Sequence, residues 1–218
     1  PVLGGTNVTD LDPSTVVVQN ASIDLVKDDN DNNDDTQMVT VGGTASFTIT
    51  VTNDGTADLN TVVINDSEAP ACARSDVQTQ TLISAVGNND AIFNPGETFT
   101  YTCDATNVQT TTFVDGDNDS DVVANVIATG NPVTDADPST VQVVTPSIQI
   151  IKDDNDNNDD TQSLIEGDTA TFSVVVTNNG TADLNTVVIN DSEAPTCART
   201  TVQTQILISA VGNNDMVF

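Results

Sequence analysis

The sequence predicts an all-β chain built as tandem β-sandwich repeats. Three observations carry this reading: two long motifs recur at one fixed offset, apolar and polar residues alternate with period two over many short segments, and no segment sustains a helical period.

The repeat organises everything else. KDDNDNNDDTQ at 27–37 recurs letter for letter at 152–162, and GTADLNTVVINDSEAP at 55–70 recurs at 180–195. The same 125-residue offset maps VTDLDP at 8–13 onto VTDADP at 133–138, Cys72 onto Cys197, Lys27 onto Lys152 and Arg74 onto Arg199. Residues 1–20 thus read as the C-terminal strand region of a preceding repeat, 21–145 as a complete β-sandwich repeat, and 146–218 as the N-terminal part of a truncated following repeat. Phe218 is the counterpart of Phe93, so the strands that should close the last unit are expected in a longer native polypeptide.

Within the complete unit the strands can be taken in order. The first is expected over 23–26. Ala45, Phe47, Ile49 and Val51 then alternate with Ser46, Thr48, Thr50 and Thr52, the pattern of a strand with one dry and one wet face. Asn53-Asp54-Gly55, like Asn178-Asn179-Gly180, sits where a hairpin would need positive φ. Strands are expected next at 61–64 and 79–83. Phe99, Tyr101 and Cys103 alternate with Thr98, Thr100 and Thr102, Tyr101 being directed inward, and runs at 122–127 and 140–144 complete a set of about seven, the strand density of a sandwich.

These motifs carry a resemblance. GGTASFTITVTNDGTADLNTVVIND, a following Cys, PGETFTYTC and VTDADPSTVQV together resemble the conserved-repeat family of large bacterial surface proteins, a domain of unknown function with an immunoglobulin-like sandwich. The resemblance spans most of the 125-residue unit. It implies tandem immunoglobulin-like β-sandwich repeats, a cell-surface or fibrous role, and no catalytic residues. The long Asp/Asn run after the first strand departs from that pattern and needs its own chemistry.

Asp28, Asp29, Asp31, Asp34 and Asp35, interleaved with asparagines, offer hard oxygen ligands of the kind calcium takes. Asp153, Asp154, Asp156, Asp159 and Asp160 repeat them. Asp115, Asp117, Asp119 and Asp121 place carboxylates at every other residue, as the first half of an EF-hand loop does, but the central glycine and the twelfth-position glutamate are missing. These runs hold fourteen of the thirty-three acidic residues, which makes the clustering real. Like charges packed so closely cost Coulomb energy that a bound cation would offset, so calcium is the expected cofactor; the competing reading is a set of merely solvated loops.

Each whole repeat holds two cysteines. A Cys72–Cys103 disulfide is expected, with two buried reduced thiols as the alternative, and Cys197 would pair beyond the end of the chain. Asn7, Asn20, Asn65, Asn118, Asn179 and Asn190 each open an Asn-x-Ser/Thr sequon, so glycans are possible partners, and the threonine-rich strand faces offer O-linked positions. Lys27 is in phase with Ile23 and Leu25 and points to the core side. Its plain reading is an ion pair with Asp28 to Asp35; the sharper one is a Lys–Asn isopeptide bond of the kind found in pilus sandwich domains.

Composition excludes several functions. A formal charge of −29 repels nucleic acid and anionic membrane surfaces, and no apolar run is long enough for a transmembrane helix. With no histidine, neither a Ser-His-Asp nor a Cys-His arrangement is available, and no phosphate loop or zinc spacing occurs. The chain is expected to be extracellular or cell-surface and not an enzyme. Two functions compete: a rigid calcium-stabilised stalk or filament whose partners are copies of itself or adjacent repeats end to end, and an adhesin module recognising a glycan or host protein. The scarcity of aromatics, with no Trp and a single Tyr, favours the stalk.

Overall fold

The computed structural model describes residues 11–30, 36–113, 119–155, 161–211 and 217–218. They are mainly β, in several sheets. Strands β1 (Asp24–Asp28), β3 (Thr44–Thr52) and β5 (Thr98–Thr106) form an antiparallel sheet in the order β1-β3-β5. Strands β4 (Leu59–Asn65), β6 (Ser120–Val126) and β7 (Pro132–Asp137) form a second, β4-β6-β7. A parallel pair joins β2 (Thr36–Thr40) to β8 (Thr140–Val144), and an antiparallel pair joins β9 (Ile148–Asp153) to β10 (Ser173–Asn178).

Alternation explains how the first two sheets share one core. Ala45, Phe47, Ile49 and Val51 of β3 are wholly buried and meet Leu59, Val62 and Ile64 of β4 and Val122 and Ala124 of β6 in a single apolar cluster. The threonines between the buried residues of β3 face outward, where Thr50 and Thr52 share hydrogen bonds with Thr100 and Thr98 of β5. In β4 a register shift at Asn60–Val63, with Thr61 at φ 51°, reverses the phase, so that Leu59, Val62 and Ile64 all face the core.

Two local expectations are overturned. The segment 79–83, expected as a strand, lies in helix α1 (Asp76–Val86), and its repeat lies in α2 (Thr201–Val211). The Ser75 N–H and hydroxyl both donate to Gln78 Oε1, which closes the first turn, and Thr79 and Ile83, four residues apart, are the buried face. Asn53-Asp54-Gly55 is not a hairpin turn either, because β3 and β4 belong to different sheets and none of the three residues has positive φ. It is a crossing: Asn53 is fully buried, its amide donates to the carbonyls of Ala57 (3.0 Å) and Phe93 (2.7 Å), and its Oδ1 accepts the Gly55 N–H.

Partnership decides whether a segment becomes a strand. Residues 140–144 form β8 against β2, whereas the equivalent 15–19 are irregular and exposed, with Val16, Val17 and Val18 all in solvent.

Candidate functional site

The most unusual feature of the core is a buried charge pair. The alternation that sends Ile23 and Leu25 inward also sends Lys27 inward, and its side chain is 0% exposed. Its Nζ donates to Asp66 Oδ2 at 2.8 Å, and Asp66 is equally buried. Asp66 directly follows β4. Its Oδ1 accepts the Ala69 N–H at 2.6 Å and its Oδ2 the Ser120 hydroxyl at 2.9 Å, while the Phe47 ring lies 4.4 Å from the lysine nitrogen. The first sheet thus supplies the amine and the aromatic wall, and Asp66 and Ser120 come from the second. Burial pushes the Lys27 pKa down; the Asp66 hydrogen bond and the charges of Asp66, Asp119 and Glu68 pull against it.

Of the expected partners in the acidic run, Asp31, Asp34 and Asp35 lie outside the described residues and Asp28 is on the opposite face of β1. Among the described residues the lysine meets a carboxylate of the other sheet, Asp66, at the position where an asparagine was the sharper expectation.

The arrangement recurs 125 residues on, in a different environment. Lys152 Nζ donates to Asp191 at 2.7 Å with Phe172 beneath it at 4.1 Å, but the two side chains are 37% and 14% exposed. There the lysine pKa is raised by the hydrogen bond to Asp191, and that of Asp191 is lowered by Lys152 and by the Ala194 N–H. Next to it an apolar groove of ≈ 350 Å³ opens between Val174, Val176, Val187, Ile189, Leu207 and Ile208.

A second tie crosses the same end of the core. Cys72 and Cys103 form a disulfide across a Cα separation of 5.1 Å, as expected. Tyr101 is half-buried; its hydroxyl donates to the Cys72 carbonyl, Arg74 stacks 4.1 Å over its ring, and burial raises its pKa. Cys197 is a free, partly exposed thiol.

Of the expected calcium ligands, Asp31, Asp34, Asp35, Asp115, Asp117, Asp156, Asp159 and Asp160 lie outside the described residues, as do the sequons at Asn7 and Asn118. Asp29 and Asp154 are buried, Asp28 and Asp153 half-buried, and Asp119 and Asp121 exposed. Among the described residues no group of three or more His, Cys, Asp or Glu is placed to hold a metal. What is described is the stem of each acidic run. Gln37 donates to the Asp29 carbonyl and to Ser46 and accepts the Ser46 N–H, so both ends of the first run are tied to β3; Gln162 and Thr171 repeat this around Asp154. Asn20, Asn65, Asn179 and Asn190 are exposed.

Two devices escaped the sequence reading. Asp135 and Asp137, alternate residues of β7, accept the backbone N–H groups of Leu25 and Lys27 at 2.8 Å, stitching the edge of one sheet to the edge of the other with side chains in place of a ladder. The period-two acids of VTDAD were the available signal. The other device is the junction. Thr181 N–H donates to the Thr145 carbonyl at 2.9 Å and Thr145 N–H to Thr181 Oγ1 at 2.8 Å; Thr56 and Asn20 make the same two bonds at 2.7 and 2.8 Å. A Cβ at Gly180 would stand 2.4 Å from the Thr145 carbonyl oxygen, and one at Gly55 2.7 Å from that of Asn20, so only glycine lets the connecting strand pass.

The chain matches no family model and no curated protein. Among solved structures it is similar to a mutant β-glucosidase from Listeria innocua in complex with laminaribiose, at 12% identity and a TM-score of 0.22, over 56% of this chain and 16% of that one. Among the described residues no helix is long and apolar enough to cross a membrane.

Proposed function

We propose that this chain is a structural part of an extracellular stalk or filament, in which immunoglobulin-like sandwich units follow one another every 125 residues and calcium in the acidic loops stiffens them. The observation that supports this reading is the junction. The same pair of hydrogen bonds over the same glycine occurs at Asn20–Thr56 and Thr145–Thr181, leaving the connection no slack at either place. Identical units meeting through identical junctions repeat one rotation and one translation, and such an operation, when it does not close, generates a rod. The disulfide and the exposed sequons suit an oxidising, extracellular setting.

Negative-stain images of the native, full-length material test this. Straight particles in calcium that become kinked in chelator are expected. Compact or randomly jointed particles in calcium would overturn it.

A further inference from the structure

We propose that Lys27 and Asp66 are the precursors of an intramolecular amide cross-link, Lys27 Nζ to Asp66 Cγ, which the fold itself generates and which ties β1 to the end of β4 across the core. The placement is that of a reaction site rather than of a surface ion pair. The amine and the carboxyl are in contact at 2.8 Å, both are sealed from water, and the aromatic ring of Phe47 closes one side. A buried charge pair is a poor source of stability even when it is hydrogen-bonded, because removing two charges from water costs much of what their attraction returns. Conversion to a neutral amide removes both charges at once.

The chemistry balances without a co-reactant. Burial favours the neutral lysine amine, so the proton of the ammonium passes to the Asp66 carboxylate, giving a free amine beside a carboxylic acid. The nitrogen lone pair attacks Cγ. The Ala69 N–H on Oδ1 is placed to stabilise the negative oxygen of the tetrahedral intermediate, as an oxyanion-hole donor does. The Ser120 hydroxyl and the lysine nitrogen both lie on Oδ2, which makes Oδ2 the leaving oxygen. A proton moves from nitrogen to Oδ2, the C–Oδ2 bond breaks, and one water leaves as the C–N bond is completed. Glu68, two residues beyond Asp66, is half-buried with its Oε2 shielded from solvent and its charge acts on Lys27, so the transfer is assigned to it: it takes the proton from nitrogen, gives it to Oδ2 and is regenerated.

The repeat supplies an internal control. Lys152 and Asp191 are in the same contact, but their site is open to solvent, the lysine is held protonated and therefore not nucleophilic, and water competes for the carboxylate. In this 218-residue chain the cross-link is expected at the covered site and not at the open one.

Intact mass of the 218-residue chain, unfolded, reduced and alkylated so that all three cysteines carry the same label, decides it. The expected mass is lower than that of the sequence by one water, not two, and proteolysis should yield a branched peptide joining Lys27 to Asp66, with Lys152 in a linear peptide. Asp66→Asn should lose ammonia instead and so converge on the same final mass as the unsubstituted chain. Glu68→Gln should remain at its full sequence mass while keeping the Cys72–Cys103 disulfide, which reports that it has folded. A folded chain at full sequence mass with Lys27 in a linear peptide would overturn the proposal. Loss of water from Glu68→Gln as complete as in the unsubstituted chain would overturn the role of Glu68.

Discussion

Single side chains in this molecule take their properties from what covers them. Lys27 and Lys152 lie in identical eleven-residue motifs and each meets an aspartate over a phenylalanine ring, yet the pKa of the first is driven down by burial and that of the second up by its hydrogen bond. Asn53 makes the same point for a neutral group. Its two amide hydrogens and its carbonyl oxygen are all used, on Phe93, Ala57 and Gly55, in a site with no access to water. Asn53→Asp keeps the shape but presents a carboxylate to two carbonyl oxygens. Leaving buried groups unsatisfied costs about 1–3 kcal/mol, and more where charge is involved. Urea unfolding should therefore show Asn53→Asp destabilised by about 3 kcal/mol or more at neutral pH, with much of the loss recovered under acid conditions that protonate the new carboxyl. A loss below about 1 kcal/mol would mean that the crossing does not depend on this amide. From sequence alone Asn53 reads as a turn residue, because Asn-Asp-Gly is equally good chemistry for a hairpin; the connection between different sheets becomes visible only through partners distant in the chain.

At the level of elements, period two and short apolar runs were enough to find β1, β3, β5, β6 and β8, and the run 61–64 marked β4 despite its break in phase; each presents a dry face to one core. Period two failed where polar groups occupy the inward phase. In β2 the buried alternate residues are Gln37 and Val39, and Gln37 is inward because it ties the acidic run to β3; in β7 the acids point toward β1. The helix was missed for another reason. Thr79, Thr81 and Ile83 mimic a strand, while the informative signal, Ser75 followed three residues later by Gln78, is a cap rather than a period. The site was readable to the same extent: the direction of Lys27 followed from its phase in β1, whereas Asp66, thirty-nine positions away, did not. The junction offers the clearest test at this scale. In Gly180→Ala the new methyl group meets backbone on two sides, at 2.4 Å from the Thr145 oxygen and 2.5 Å from the Ser147 nitrogen, so the connecting strand has to move off Thr181. Each of the two lost hydrogen bonds is worth about 1 kcal/mol, and the Thr181 amide should exchange with solvent on the order of tenfold faster or more. Unchanged protection at Thr181 would show that the connection is not held by these bonds.

For the whole molecule the governing quantity is charge. A chain carrying −29 with only four basic residues opposes its own folding, and two of those four, Lys27 and Lys152, are drawn into ion pairs with Asp66 and Asp191. Sodium chloride should raise the melting temperature simply by screening, with most of the gain complete once the Debye length falls to about 10 Å near 0.1 M. Calcium bound in the acidic loops would act differently, because a ligand that binds only the folded state adds RT ln(1 + [L]/Kd), about 2.7 kcal/mol at a hundredfold excess over Kd. For a unit of this size that is a shift on the order of 10 °C. The decisive comparison is therefore calcium chloride against sodium chloride at equal ionic strength, with the melting temperature read by circular dichroism. A further rise in calcium that chelator reverses and magnesium does not reproduce is the expected outcome, since magnesium is reluctant to shed its waters for an all-protein cage of aspartates and asparagines. Coincident curves for the two salts would reduce the acidic runs to screened surface charge and leave the Cys72–Cys103 disulfide and the hydrogen-bonded junctions as the ties the described residues show.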